Sequence, residues 1–239
     1  MKKASFTALL YREYLLCRKS LRVYAVSCLI FTLIPIMVIF SLRWGNLTML
    51  PENIVADIRA DNDLMLTLFV VICPCMLMIA VSESAVFDAK IQWDRFRRST
   101  PVKPAKMALA KYALFLILLL LSAAVCAALM ALSHWLLGTP VMKTDIAVIV
   151  ALITGISMLS VMAQVFIMLF RSVDRGMLVM LGYAAAVIFL IPGKWRASFS
   201  VERLLGGAEA LLPITPVILL GILTIGFGLT TFIYARREK

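Results

Sequence analysis

Uncharged apolar stretches alternate with short charged segments along the whole chain. Six of these stretches contain no Asp, Glu, Lys or Arg, and each is near or above the roughly 20 residues that a helix needs to cross a bilayer. The third stretch is long for one crossing, but Gly138-Thr139-Pro140 supplies a break near its end. The pattern predicts an all-α protein with six transmembrane helices, at 23–42, 64–82, 112–142, 146–170, 176–193 and 210–235.

Composition places the chain in the membrane. It has 239 residues, of which 63% are hydrophobic, and its mean hydropathy is +0.99. A soluble core of this length could not bury so much apolar surface. We therefore expect one transmembrane domain over 1–239, with the first apolar stretch retained as a span and not cleaved as a signal peptide.

The distribution of basic residues predicts the orientation. If the six spans are correct, 18 of the 24 Lys and Arg residues fall on the side that holds both termini, and 6 fall on the other. Basic residues concentrate on the cytoplasmic side of membrane proteins. We expect a multi-pass protein of the bacterial cell membrane with both termini in the cytoplasm. The net charge of +11 then reflects topology and contact with anionic lipid, and it does not require a nucleic-acid partner.

Two further segments are predicted to lie at the membrane surface. Residues 4–19 form an amphipathic pattern, with Leu9 and Cys17 on the apolar side, and indicate an interfacial helix before the first span. Residues 194–209 are too polar to cross and too apolar to be a free loop, so they indicate an outer interfacial or re-entrant segment.

The charged segment at 83–104, between the second and third spans, is the most informative part of the chain. Its apolar residues Val86, Ala89, Trp93 and Phe96 recur at helical spacing and predict one face of a helix. Two interpretations remain open from the residues alone. The segment is either a solvated basic loop against lipid headgroups, or a docking helix whose aromatic side chains anchor a soluble partner.

Several classes of function are disfavoured by what the sequence lacks. No acidic or basic residue lies in the middle of a span, whereas ion-coupled transporters and proton relays normally need such groups. No nucleotide-binding glycine loop, HExxH motif or paired-carboxylate motif is present. His134 is the single histidine and is expected near the outer boundary without a carboxylate beside it, a poor arrangement for a general base. The chain is therefore not expected to be an enzyme.

Cys73-Pro74-Cys75 in the second span is the one candidate for a metal site. Two thiolates beside a helix-breaking proline could bind a soft ion such as Cu(I). Isolated buried cysteines behave as small hydrophobic residues, and this second interpretation favours a kinked, packed helix with no metal.

The whole layout, and one stretch in particular, resembles the ABC-transporter permeases of the type-2 exporter family. The stretch runs from Phe87-Asp88 through Trp93-Asp94-Arg95-Phe96 to Ser99-Thr100-Pro101-Val102 and then Lys111-Tyr112. Within the family, the chain resembles the small bacterial permeases of the phenol-soluble-modulin exporters, which expel amphipathic peptides.

This resemblance implies a function and a set of partners. The segment at 83–104 would be the coupling helix, and the turn at 171–175 a second contact with cytosolic ATPase subunits. Those subunits would bind ATP and Mg, so no cofactor is expected in this chain. A second copy of the permease or a paralogue would complete the transporter, and the cargo would be apolar or amphipathic. The residues expected to couple to the ATPase are Phe87, Asp88, Trp93, Asp94, Arg95, Phe96, Arg98, Arg171, Asp174 and Arg175.

Two other functions stay open from the sequence. The same docking helix could bind a cytosolic regulator in a membrane sensor or accessory scaffold. A soft-metal carrier could use Cys73 and Cys75.

Overall fold

The computed structural model describes residues 5–45, 49, 51, 53–58, 82–90, 102–138, 140–141, 143–190, 210 and 212–236. Its regular elements over these ranges are all helical, which confirms the predicted all-α class. Besides a short helical segment at 53–58, these described ranges contain six helices. They are α1 (Phe6–Trp44), α2 (Ser82–Lys90), α3 (Pro104–Leu137), α4 (Lys143–Phe170), α5 (Val173–Leu190) and α6 (Thr215–Arg236).

Four of these helices are long and apolar enough to cross a membrane within the part of the chain that the structure describes: α1, α3, α4 and α6. The predicted second span lies outside the described residues, except for Ser82 at the start of α2. The predicted fifth span at 176–193 overlaps α5 as far as Leu190, and the side chains of α5 are described only as far as residue 182. The total of six spans therefore stays a prediction.

From Phe6 onward, the predicted interfacial segment is continuous with the first predicted span. Both belong to α1, a single helix of 39 residues, because no glycine or proline interrupts the sequence where the two meet. At 1.5 Å per residue, α1 is about 58 Å long and extends well beyond a hydrocarbon core of about 30 Å. Pro35 lies inside α1 and does not end it.

The predicted break after the third span is confirmed at Gly138. This residue follows α3 and has a φ of 71°, in the left-handed region that favours glycine. Its amide donates a hydrogen bond to the carbonyl of His134. At the other end of α3, Pro104 occupies the first turn. A backbone N–H there would have no acceptor within the helix, so the missing N–H of proline costs no hydrogen bond.

Two contacts show that α1 and α3 run parallel. Glu13 of α1 meets Lys111 of α3 at one end of the bundle, and Arg43 of α1 meets Leu136 of α3 at the other. We call these the charged end and the opposite end. The helix rise places them about 40 Å apart, close to the thickness of a bilayer with its headgroups.

The remaining helices pack around this pair and complete the bundle. α4 begins near the opposite end, where Asp145 approaches His134, and it reaches the charged end at Ile167. α6 also finishes at the charged end, where Tyr234 packs in one cluster with Ile167 and Met107. The first turn of α1 and the last turn of α6 therefore lie at the same end of the bundle.

The centre of the bundle is formed by α3, α4 and α6. Tyr112, Phe115 and Val161 are buried there, and the ring of Phe227 meets that of Tyr112 edge-on. Gly226 permits this close approach, since a Cβ at that position would lie 2.6 Å from the Tyr112 hydroxyl and closer still to the Val161 side chain.

The outside of the bundle is strongly apolar. On α1 alone, Val26, Leu29 and Met37 are each more than half exposed. A soluble protein rarely exposes so much contiguous apolar surface. These side chains instead suit contact with lipid, in agreement with the membrane placement drawn from composition.

Candidate functional site: a buried charge cluster beside α2

α2 forms the beginning of the predicted docking segment at 83–104, and it packs against the bundle. Ala85 is buried, and Val86 and Ala89 pack with it against a cluster that includes Met107 and Met168. This confirms that Val86 and Ala89 share an apolar face, and it shows that the face contacts the protein's own helices. Phe87 points the other way and is 48% exposed.

Lys111 lies at the centre of the charged end and is fully buried. Its Nζ is 2.7 Å from Oε2 of Glu13 and 2.8 Å from Oδ2 of Asp88, and it donates a hydrogen bond of 3.0 Å to Oγ of Ser84. The ammonium thus donates hydrogen bonds to Glu13 and Ser84 and has a second carboxylate, that of Asp88, at ion-pair distance. These three partners come from two different helices, so Lys111 connects α3 to both α1 and α2.

Arg12 completes the arrangement from the next position on α1. Its Nη1 lies 2.6 Å from Oε1 of Glu13, and its Nη2 donates a hydrogen bond to Oδ1 of Asp88. Each of the two carboxylates is thus shared between Arg12 and Lys111. We call Arg12, Glu13, Asp88 and Lys111 the charge cluster; it contains two cations and two anions and is electrically balanced.

A second link joins α1 to α2 about two turns further along α1 from the charge cluster. The hydroxyl of Ser20 donates a hydrogen bond to Oε2 of Glu83, and the hydroxyl of Tyr24 lies 3.5 Å from Oε1 of the same carboxylate. α2 is therefore held to α1 through both of its acidic residues.

Asp88, one of the residues expected to couple to the ATPase, faces into the bundle in the structure. Its side chain is only 10% exposed and faces Arg12 and Lys111. The pairing with Asp88 was missed because both partners are distant in sequence. Of the other predicted coupling residues, Trp93, Asp94, Arg95, Phe96 and Arg98 lie outside the described residues.

The turn between α4 and α5 lies beside α2 at the charged end. The predicted segment at 171–175 divides into two turn residues and the start of α5: Arg171 has a φ of 52°, while Asp174 and Arg175 lie in the first turn of the helix. All three side chains are exposed. α2 contacts both α4 and α5, so this turn and Phe87 belong to the same end of the bundle.

Sequence reasoning overlooked Glu13 and gave Lys111 no role of its own. A usable signal was present in both cases. Glu13 falls at helical spacing between Leu9 and Cys17, on the side predicted to be apolar, and a carboxylate there requires a buried partner. Lys111 is the last charge before the apolar stretch that starts at Tyr112.

At the opposite end, one expectation was wrong. His134 does have a carboxylate nearby, because Nε2 lies 3.4 Å from Oδ2 of Asp145. The two residues flank the break at Gly138, which folds α4 back beside the end of α3. Arg43 also donates to the last turn of α3, with Nη1 2.5 Å from the carbonyl oxygen of Leu136.

No group of three or more His, Cys, Asp or Glu side chains is placed to hold a metal ion in the ranges that the structure describes. Cys73 and Cys75 lie outside those ranges. The absence of a metal role for them therefore stays a prediction.

Comparison with known proteins identifies the family. The chain matches the family model described as ABC-2 family transporter protein over residues 8–235, nearly its whole length. No match is found among the curated proteins or among the solved structures. Members of this family are the membrane component of ABC transporters, distinct from the ATPase; they generally act with cytosolic ATPase subunits and often form dimers. The four long apolar helices and the match over residues 8–235 agree, and this chain belongs to the ABC-2 family of transporter proteins.

Proposed function

We propose that the chain is the permease subunit of an ATP-driven exporter. The observation that carries this proposal, beyond family membership, is the assembly of the charged end. There, α2 and the exposed turn at 171–175 lie together, although more than 80 residues of chain separate them. Such a composite surface suits a partner that pushes on several helices at once.

The proposal includes an orientation for the protein. The charged end faces the cytoplasm, both termini are cytoplasmic, and six spans cross the cell membrane. Support comes from the concentration of basic residues on the side of the termini. The common position of the first turn of α1 and the last turn of α6 adds to it.

The docking surface of the ATPase is proposed to combine three parts of the chain. The first is Phe87 on the outward side of α2, and the second is the exposed group at 171–175. The third is the aromatic and basic sequence from Trp93 to Arg98, which follows α2 directly. Aromatic and arginine side chains are the residue types that most often carry the binding energy of protein interfaces.

Apolar or amphipathic molecules, including amphipathic peptides, are the proposed cargo. The polar side chains buried between the described helices include Ser157, Gln164 and Thr230, which carry no charge. Neutral polar groups and apolar surface would not hold a charged molecule strongly. A second copy of this chain or a paralogous permease would form the other half of the pathway, and lipid would surround both.

Co-expression tests the proposal directly. The chain is produced together with an ABC ATPase subunit from the same organism, and the two are purified through a tag on the permease. We expect the ATPase to co-purify and its hydrolysis of ATP to change on reconstitution with the permease. A sensor or scaffold would instead retain a partner that does not hydrolyse ATP, and failure of any ATPase to bind would contradict the proposed function.

A further inference from the structure

The charge cluster links three helices in a closed arrangement. Asp88 of α2 is paired with Arg12 of α1 and with Lys111 of α3, and Lys111 is in turn paired with Glu13 of α1. The link between Ser20 and Glu83 reinforces the contact of α1 with α2. Each of the three helices is therefore bonded to the other two.

Stability alone does not account for such a cluster. Burying charges requires their removal from water, and well-packed apolar residues of similar volume are often as stabilising or more so. Ion pairs differ from apolar contacts in being directional: a shift of one partner leaves a buried charge without compensation. A cluster of this kind therefore fixes the relative position of the elements that it joins.

The other side of α2 is bonded in a different way. Toward α4, Ala85 packs with Ile167 and Met168, and these contacts are apolar. Gly176 of α5 lies against the backbone of Ile167, so α4 and α5 are packed closely against each other. Apolar contacts are non-directional, and packed helices can slide past one another by small shear movements.

We propose that the charge cluster clamps α2 to α1 and α3, so that these three helices move as one body against α4 and α5 when the ATPase acts on α2. Glu13 and Lys111 are then positioning residues for coupling, although neither reaches the docking surface. The inference rests on the proposed function, since it assigns the path by which movement at the docking surface enters the spans.

The parallel arrangement of α1 and α3 extends this body across the membrane. Arg43 ties the far end of α1 to the carbonyl oxygens of Trp135 and Leu136 in the last turn of α3. The two helices are thus joined at both ends, about 40 Å apart. A movement of α2 is expected to displace the opposite end as well.

Spin-label distances test whether α2 and α1 form one body. In a variant without native cysteines, one pair of labels joins Lys90 at the exposed end of α2 to Val26 on α1, and a second pair joins Lys90 to Leu178 on α5. All three positions are exposed. Distances are measured in lipid nanodiscs with the co-purified ATPase, first without nucleotide and then trapped with ATP and vanadate. We expect the Lys90–Val26 distance to stay constant and the Lys90–Leu178 distance to shift; a shift of similar size in both pairs, or a shift in the first pair alone, would overturn the proposal.

A second measurement needs no ATPase and tests the clamp itself. The Lys90–Val26 distribution of the permease alone is compared in the parent and in the double variant Glu13→Gln/Lys111→Met. This double variant keeps the balanced pair of Arg12 and Asp88, so it is expected to fold even where a single substitution does not. We expect a narrow distribution in the parent and a broad one in the double variant.

Two matched variants complete the test. Lys106→Met changes an exposed lysine on the same helix, and Lys111→Arg keeps the charge at the buried position; both should retain the narrow distribution. A narrow distribution in the double variant would show that packing alone holds α2, and the clamp would be rejected. Because this arm uses the permease alone, its result stands even where no ATPase binds and the proposed function fails.

Discussion

Lys111 and Glu13 are 98 residues apart in sequence, yet the lysine Nζ lies 2.7 Å from the glutamate Oε2, and the lysine side chain is fully buried. The apolar stretch of α3 starts at the very next residue. The boundary between charged segment and span is therefore also the point at which α3 is fixed to α1.

Lys111→Met should strongly destabilise the permease. Removal of one partner leaves Glu13 and Asp88 with the charge of Arg12 alone, and breaking a buried pair in this way costs about 3–5 kcal/mol. The double variant Glu13→Gln/Lys111→Met should be more stable than Lys111→Met, because it restores the balance of charge. Thermal unfolding of the purified protein in detergent measures both, with Lys106→Met as the exposed control. Additive losses in the double variant would show that the two residues do not act as a pair.

Gly226→Ala should disturb the contact between α3, α4 and α6. The added methyl group would meet the Tyr112 hydroxyl and the Val161 side chain at less than contact distance, and such overpacking costs about 1–3 kcal/mol. Gly228→Ala is the matched control on the same helix, since a Cβ there meets nothing within 4 Å. It should be neutral or slightly stabilising, because alanine favours a helix over glycine. Equal midpoints of thermal unfolding for the two variants would contradict the close packing at Gly226.

Local signals in the sequence were enough to locate some of the helix ends. The break at Gly138 and the start of α3 at Pro104 depend only on backbone conformations that these two residues favour or forbid. The apolar face of α2 was likewise visible, since Val86 and Ala89 follow helical spacing. The sequence signal for each of these features lies within a few neighbouring residues.

The charge cluster could not be predicted in the same way, because it forms only where particular helices are neighbours in the bundle. Spacing shows that Glu13 shares a side of its helix with Cys17, but it does not show which cation lies opposite. His134 and Asp145 illustrate the same difficulty at shorter range: the turn around Gly138 brings them together, although His134 lies in the third predicted span and Asp145 just before the fourth. Sequence periodicity identifies faces of helices, whereas pairing between faces is a property of the packed bundle.

Labelling of single cysteines should report the predicted orientation. In a variant without native cysteines, Lys90→Cys lies at the charged end, and Arg59→Cys falls in the segment predicted to form the outer loop after the first span. If the charged end is cytoplasmic, a membrane-impermeant maleimide added to intact cells should label position 59 and spare position 90. Position 90 should react after the cells are opened, since the side chain is exposed in the structure. External labelling at position 90 would reverse the orientation.

Replacing Trp93 and Phe96 together with alanine should weaken the docking of the ATPase. Replacing both aromatic residues should remove about 2–4 kcal/mol of docking free energy in total, the range for aromatic residues at the centre of an interface. This corresponds to a loss of affinity of tens-fold or more. Membrane insertion should be unaffected, because both residues lie outside the predicted spans. The measurement is pull-down of the co-expressed ATPase, together with ATP hydrolysis by the reconstituted pair.

The control for this double variant has to be aromatic, exposed and distant from the charged end. Trp135→Ala meets these conditions, since Trp135 is 71% exposed and lies near the opposite end of α3. Arg43 is unsuitable, although it lies at the same end, because its side chain holds the last turn of α3. The control should bind the ATPase like the parent. If the Trp93/Phe96 variant binds and stimulates hydrolysis equally well, the segment after α2 is a solvated loop, and the docking surface reduces to Phe87 and the turn at 171–175.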